Sequence, residues 1–540
     1  MRVWRWVNLI GAGLLAGLIA TLVMALVMLV LRYWLGISAP PEALPDRIAP
    51  TLDIDTFFGL FRTYGGYNGL KKFGIRSGLL ALIGVGSLVG AIYAAVVERE
   101  RSHHPGLWRS GFSPRGLRFV VLTAVVFWVA SLIALAPVLG ANYKGLSPAP
   151  ATVGTALGLL VSYASFAVTL LLVYRFLVAP ALAVEPRPTV DAEAAVRPVG
   201  ELGRPLDRRA LIAGVAGSAL IAPSYGIMRG MYHQATFFYD GTRFRADQLS
   251  PVTPNDQFYV VTKNVVDPRP TKAFWGLEVN GHVDNARRYD FDQLAAMEPV
   301  TVEATLSCIS NAVGDRLMSN AIWTGVPMAR LLGEVGVKEG AVEVRLHGAD
   351  GYTDTFAIDK AMESTTLVAY RMNDEEIPQR HGYPVRLIVP GLFGEKNVKW
   401  VTGIEVVDFD AKGFYEQQGW GPQFVVPTRS TFLQPDLRKP VKVNSTVPLK
   451  GIGFAGNRGV SKIEVSFDDG KTWSAAKIDY PGTMTSWAVW SYSWRPTRAG
   501  DYKLAVRATD KAGVVQTPDR RGIISEGATG YHRVVAHVQM

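Results

Sequence analysis

At 540 residues the chain is longer than one hydrophobic core supports, so several domains are expected. Its one cysteine, Cys308, excludes an internal disulfide, a CxxC zinc site, an iron–sulfur cluster and a CxxCH haem attachment. The net charge of +10 does not point to nucleic acid, because much of the surplus sits in short loops beside apolar runs and no Lys/Arg run resembles a nucleic-acid arm.

A bilayer core takes about 20 apolar residues in a helix. Segments at roughly 7–31, 78–97, 118–140 and 152–180 reach that length almost free of charge, which predicts a four-helix transmembrane region over residues 1–180. Polar groups within these spans are too few for a transporter. None of the eight histidines lies inside one, so no haem between helices is expected.

Orientation follows from the loops. Arg2 and Arg5 precede the first span, and Arg99, Arg101, Arg109, Arg115 and Arg118 link the second to the third. Arg187, Arg197, Arg204, Arg208 and Arg209 follow the fourth, whereas the loop before it carries only Lys144. Positive-inside bias then places the N-terminus in the cytoplasm and the 32–77 loop outside, although the mixed charge of that loop fits this less well.

The linker 181–239 contains a fifth, shorter apolar segment, led by Arg208-Arg209 and running to Ser224. It reads either as a twin-arginine export signal inside the chain, with Asp207 where Ser or Thr usually stands, or as a fifth anchor. On both readings the remainder lies outside the cytoplasm.

Residues 240–412 read as a mixed α/β domain. Strand-like runs such as Phe258–Thr262 and Val342–Leu346 alternate with helical stretches such as Met328–Val335, punctuated by Gly and Pro. Within it, Thr305-Leu306-Ser307-Cys308-Ile309-Ser310-Asn311 is followed by Trp323–Pro327, Asp350-Gly351-Tyr352-Thr353, Leu367–Asn373, His381–Arg386, Val389-Pro390-Gly391 and Lys396–Trp400. Together these resemble, in order, the molybdenum domain of the sulfite oxidase family.

The resemblance implies molybdenum–molybdopterin as cofactor, with Cys308 as the thiolate ligand to the metal, a soft donor suited to that site. It implies a pterin pocket lined by His381, Arg386, Asn397, Val398 and Lys399, with Lys263, Asn264 and Asp350 as further candidates. Charged contacts to the pterin phosphate are the expected mode. Tyr352 matches a family tyrosine beside the exchangeable oxygen of the metal. The sequence departs from the family at two anion contacts: Val313 stands where an arginine follows the cysteine by five residues, and Thr262-Lys263-Asn264 replaces Arg-Asn-His. Arg316 is the one nearby substitute. Each lost contact costs about 1.5–3 kcal/mol, which puts sulfite itself in doubt as substrate.

From 420 to 540 the chain reads all-β, with runs at Val460–Phe467, Trp487–Trp494 and Tyr502–Ala508 that predict an immunoglobulin-like sandwich. Ser466–Trp473 reads as a structural hairpin around Asp469-Gly470. This region resembles the dimerisation domain that follows the molybdenum domain in the family. The expected whole is a multi-pass bacterial membrane protein whose outer part transfers oxygen atoms on a small sulfur- or nitrogen-oxo compound. It would pass electrons to an external carrier or a membrane quinone, and could pair as a homodimer. The alternative is a non-catalytic membrane-anchored scaffold with a degenerate form of the same fold.

Overall fold

The computed structural model describes residues 2–65, 67–103, 113–183, 204–233, 249–264 and 266–540. Arg109, Arg187 and Arg197 lie outside the described residues. By contact the chain divides into two units. One comprises Met1–Ile48, Phe61–Tyr143 and Ala149–Ala235; the other comprises Ala49–Leu60, Lys144–Pro148 and Thr236–Met540.

The first unit is helical. Among the described residues, five helices are long and apolar enough to cross a membrane: Trp6–Leu35, Gly69–Glu100, Pro114–Val138, Pro148–Val178 and Leu211–Met231. The first two pack closely because small residues face each other. A Cβ on Gly13 would stand 2.4 Å from the Gly90 oxygen, and one on Gly17 2.3 Å from the Gly86 oxygen. Two glycines four apart on each helix thus let the backbones approach, the usual device where lipid supplies no hydrophobic drive for association.

The stretch between these helices is not the plain loop that the sequence suggests. It forms the helices Pro40–Ile48 and Ile54–Tyr64, and part of its mixed charge is paired internally. Arg32 meets Glu42 at 2.7 Å and Lys71 meets Asp46 at 3.0 Å, all largely buried. The fifth apolar segment also runs past Ser224, as helices Arg204–Ala219 and Ile221–His233, because Tyr225, Ile227, Met228 and Met231 extend its apolar character.

The second unit is built on sheets. Strands Arg287–Asp290, Gly276–Gly281, Val401–Val407, Glu343–Gly348 and Thr353–Ala357 form one sheet in that order, the second and third parallel. Its core holds Trp275, Leu277, Val344, Leu346 and Ile404, closed by Leu331 and Leu332 of the helix Met328–Val335. Another sheet joins Val300–Ser307 to Met318–Pro327 and then to Leu367–Met372, which also pairs with Arg386–Ile388.

The run Phe258–Thr262 does not form a regular strand; only Val260 makes an isolated bridge. Phe258, Tyr259 and Val260 are buried in succession, at 1%, 8% and 5% exposure, which a pleated strand with one open face does not allow.

The C-terminal region is all-β, with two sheets sharing one core. The first is ordered Arg429–Gln434, Val447–Phe454, Ala488–Trp494, Lys477–Tyr480. The second is ordered Val441–Lys442, His532–Gln539, Gly500–Asp510, Val460–Ser466, Ser474–Ala475. Leu449 and Trp490 from one sheet meet Ile463, Leu504 and Val506 from the other. At the hairpin, Asp469 and Gly470 both take positive φ, 65° and 88°, and the Asp468 carboxylate accepts from the Thr472 N–H.

Candidate active site

Cys308 is the first residue beyond the strand Val300–Ser307, whose pairing with Met318–Pro327 ends at Ser307 opposite Met318. The Cys308 N–H donates to the Leu317 carbonyl at 2.9 Å, closing the loop at its base. Inside the loop, the Asn311 side chain accepts from the Leu317 N–H at 3.0 Å. Arg429, from the first C-terminal sheet, donates to the Ser307 hydroxyl at 3.2 Å and to the Asn311 carbonyl at 2.8 Å. A buried arginine from the other domain therefore sets the Cys308 loop, and burial lowers its own pKa to about 10.

The turn after Phe393 brings the opposite wall. A Cβ on Gly394 would lie 2.4 Å from the Tyr259 hydroxyl and 3.3 Å from the Ser307 oxygen, so the chain passes directly over the cysteine strand. This seats Glu395 beside Cys308. Both Glu395 oxygens are closed to solvent and lack a hydrogen bond of normal geometry. Burial, then Asp354, pushes its pKa up to about 8 against the pull of the Ile309 N–H and Lys396. Burial and then Glu395 push the Cys308 thiol up to about 11. A metal cation would offset that cost, since coordination keeps a thiolate deprotonated.

Tyr352 donates to Asp354 at 2.6 Å. Asp354 also takes Lys396 at 2.7 Å, with both side chains only 2% exposed, and Lys396 reaches Glu416 at 3.2 Å. Burial alone would lower the Lys396 pKa, but Asp354 and Glu416 outweigh it and the net shift is upward. Tyr415 feels Cys308, Glu395, Asp354 and Asp350 together, which gathers these groups around one chamber. Trp420 packs against Tyr415 at 6.2 Å, and its buried indole N–H has no partner among the described residues.

The remaining expected residues fall into two groups. Lys263 donates to the Asp350 carbonyl at 3.0 Å, Asn264 donates to its carboxylate at 2.8 Å, and the Tyr352 N–H donates to the same carboxylate at 3.1 Å. In the second group, Arg386 donates to the carbonyls of His381 and Asn397 at 2.8 and 3.1 Å and lies over the Trp323 ring at 5.0 Å. Asn397 spends its side chain on the Val389 N–H and the Phe393 carbonyl, and Val398 is buried beneath. The His381 Nε2–H donates to the Asn255 carbonyl at 2.8 Å, and burial lowers the pKa of the ring to about 3.

Lys399 sits near Asp267, Arg386, Asp350 and Arg380, and burial lowers it to about 8. The Nε of Arg386 is buried with no hydrogen-bond partner. A buried donor left over among crowded cations fits a phosphate, whose oxygens would accept it. The residues present thus fit the phosphate of a pterin cofactor, and the Cys308 thiol, 3.0 Å from the Ser310 hydroxyl, is the soft donor that would bind its metal. Glu395, Lys396 with Asp354, Tyr415 and Arg429 are not among the residues that the sequence points to; Lys396 opens the run Lys396–Trp400, and the acid directly before that run is the signal available for Glu395.

Comparison with known proteins places these features. Residues 264–415 match the oxidoreductase molybdopterin binding domain, and residues 422–539 match the Mo-co oxidoreductase dimerisation domain. The mitochondrial sulfite oxidase of Drosophila melanogaster is 27% identical over 344 residues, covering 52% of this chain and 58% of the fly protein. The NADH nitrate reductase of Volvox carteri is 29% identical over 284 residues, covering 42% of this chain and 33% of the algal one. The sulfite oxidase of Arabidopsis thaliana is 25% identical and is covered over 88% of its length. Among solved structures, the sulfane dehydrogenase SoxCD of Paracoccus pantotrophus aligns at 22% identity and a TM-score of 0.48, covering 55% of this chain and 85% of that one. With its molybdopterin-binding and dimerisation domains in the family's order, the chain belongs to the sulfite oxidase family of molybdopterin-dependent oxidoreductases.

Proposed function

We propose that this is a membrane-anchored enzyme whose molybdenum centre lies outside the cytoplasm and exchanges an oxygen atom and two electrons with a small sulfur- or nitrogen-oxo compound. The buried Arg386 Nε, without a partner among the described residues and close enough to Lys399 to lower its pKa, is the observation that supports cofactor binding. Cys308 would hold the metal; Arg386, Lys399, Lys263, Asn264 and Asp350 would hold and orient the pterin; His381, Asn397 and Val398 would shape its pocket. The molybdenum–pterin group, when bound, supplies the two-electron oxygen-transfer chemistry. Tyr352, fixed by Asp354, positions the reacting oxygen, and the walls of Tyr415, Trp420 and Phe424 limit water.

The anchored topology has its own support. Segments 49–60 and 144–148 join the first apolar helix to the second and the third to the fourth, and both belong to the second unit. If these segments share the side of a bilayer on which the catalytic fold lies, then with three spans between 49–60 and residue 180, a crossing by the fifth helix brings residues 249–540 back to that side. Loop arginines then put this side outside the cytoplasm. Electrons leave to an external carrier or a quinone, and a second copy of the chain is the natural partner of the dimerisation domain.

Elemental analysis of the detergent-purified chain beside Cys308→Ala tests the reading. About one molybdenum per chain, lost in the variant, is the expected result. No molybdenum, from a host that makes the cofactor, would leave a scaffold.

A further inference from the structure

Residues 49–60 lie in the chain between the first two apolar helices, yet they pack with the catalytic fold as part of the second unit. Asp53 starts the helix Ile54–Tyr64, its carboxylate accepting from the Thr56 N–H at 2.9 Å. Ile54, Phe57 and Phe58 then fall at i, i+3 and i+4, on one face of that helix. Phe57 is buried, and Ile54 and Phe58 join the cluster that holds Ile309, Phe393, Trp420 and Phe424. Ile309 follows Cys308 directly. A tether needs reach and no matched apolar face, so this fit asks for another role.

The contact runs through one turn, Tyr415–Trp420. The buried Gln418 side chain donates to the Ala49 carbonyl at 3.1 Å. The Trp420 ring lies 5.8 Å from Phe58 and 6.2 Å from Tyr415. Other residues of the same turn meet groups of the Cys308 chamber. Tyr415 stands 5.9 Å from Tyr352, while Glu416 takes Lys396 at 3.2 Å and the Thr355 hydroxyl at 2.8 Å. Gln418 and Trp420 thus meet residues 49–60 from the turn that presents Tyr415 and Glu416 to the chamber. So short a turn has no core of its own, and its position depends on what packs against each side.

Resting on the reading of Cys308 as the ligand to the metal, we propose that residues 49–60 are a fixed wall of the reacting centre, with Ala49 and Phe58 as positioning residues. They hold the turn Tyr415–Trp420, and through it Tyr415 and the Glu416–Lys396 pair, where these close the chamber to water. The reacting centre is then complete only in a chain that keeps the loop between its first two apolar helices.

Cys308 is the one cysteine of the chain, so a thiol reagent reads this chamber and nothing else. The full chain is purified in detergent from a host that lacks the cofactor, and the rate of maleimide labelling is measured. The wild type is compared with Phe58→Ala, Phe58→Leu, Gln418→Leu and Val506→Ala. Val506, buried between the two C-terminal sheets, controls for a general loss of stability. Labelling is expected to be about ten-fold or more faster in Phe58→Ala and faster in Gln418→Leu. Phe58→Leu, which refills the space, and Val506→Ala are expected to label at nearly the wild-type rate. Should Phe58→Ala not fold, Gln418→Leu against Val506→Ala decides. Wild-type rates in the wall variants, or the same acceleration in Val506→Ala, overturn the inference. In the molybdenum-loaded chain, Phe58→Ala is expected to keep its metal and to shift the electron paramagnetic resonance spectrum of the one-electron-reduced centre. An unshifted spectrum at full molybdenum content also overturns it. A wild type that holds no molybdenum overturns the reading of Cys308 beneath, and the labelling still judges the wall.

Discussion

At the scale of single residues, the chamber contains two buried charges with opposite consequences for stability. Lys396 is paired twice, and removing it strands Asp354 in a site where both side chains are 2% exposed. Lys396→Met is therefore expected to cost about 3–5 kcal/mol, read as a fall in the thermal midpoint of the second unit's unfolding. Glu395 makes no comparable pair, and Glu395→Gln removes a carboxylate that burial already disfavours. That variant is expected to match or exceed the wild type in the same melt. A loss as large as that of Lys396→Met would show that Glu395 is bonded after all. Cys308, Tyr352 and Arg386 could be named from the sequence as candidates because each lies in a run that resembles the family's motifs. Arg429 was not, since it acts 122 positions away from Ser307 and gains its role only when the two domains of the second unit meet.

At the scale of elements, the strand Met318–Pro327 must accommodate both the Cys308 strand and Leu367–Met372. The second pairing slips between Thr324 and Gly325, where a Cβ would stand 2.3 Å from the Val368 oxygen. Gly325→Ala is expected to destabilise the domain by about 1–3 kcal/mol, measured by denaturant titration; an unchanged midpoint would mean the strands part without cost. The strand His532–Gln539 supports the same loop from the other domain. The His532 ring accepts from the Phe432 N–H at 3.1 Å and packs where a Gly314 Cβ would lie, and burial lowers its pKa to about 4. An unfolded histidine titrates near about 6.5, so between these values the unfolded chain binds more protons and stability rises with pH. The contribution of the neutral ring is complete above about pH 6.5 and declines as the pH falls towards 4, by an amount on the order of 1–3 kcal/mol. His532→Gln, which keeps an acceptor, is expected to flatten the dependence of the melting midpoint on pH in that window.

At the scale of the whole molecule, the anchored topology makes a prediction that does not depend on catalysis. Alkaline phosphatase fused after residue 540 should be active, as should a fusion within 49–60, whereas one within 104–112 should be silent. Activity only in the 104–112 fusion would reverse the orientation. The mixed charge of residues 32–77 looked like a weakness of the outside assignment. The pairs Arg32–Glu42 and Lys71–Asp46 lessen it, because buried, paired charges are weaker topological signals than free loop arginines.

What the sequence determined by itself was the order of parts: apolar helices first, the cysteine motif and its cationic neighbours next, and alternating strands last. Those are local properties, set by run length, period and spacing, and they survive without knowledge of contacts. The tertiary structure alone decided that Phe258–Val260 is buried without being a strand. It also decided which charges at the centre are spent. Burial and pairing are properties of neighbours distant in sequence: Lys396 meets Asp354 across 42 positions, and a lysine beside a motif reads the same whether it is free or locked.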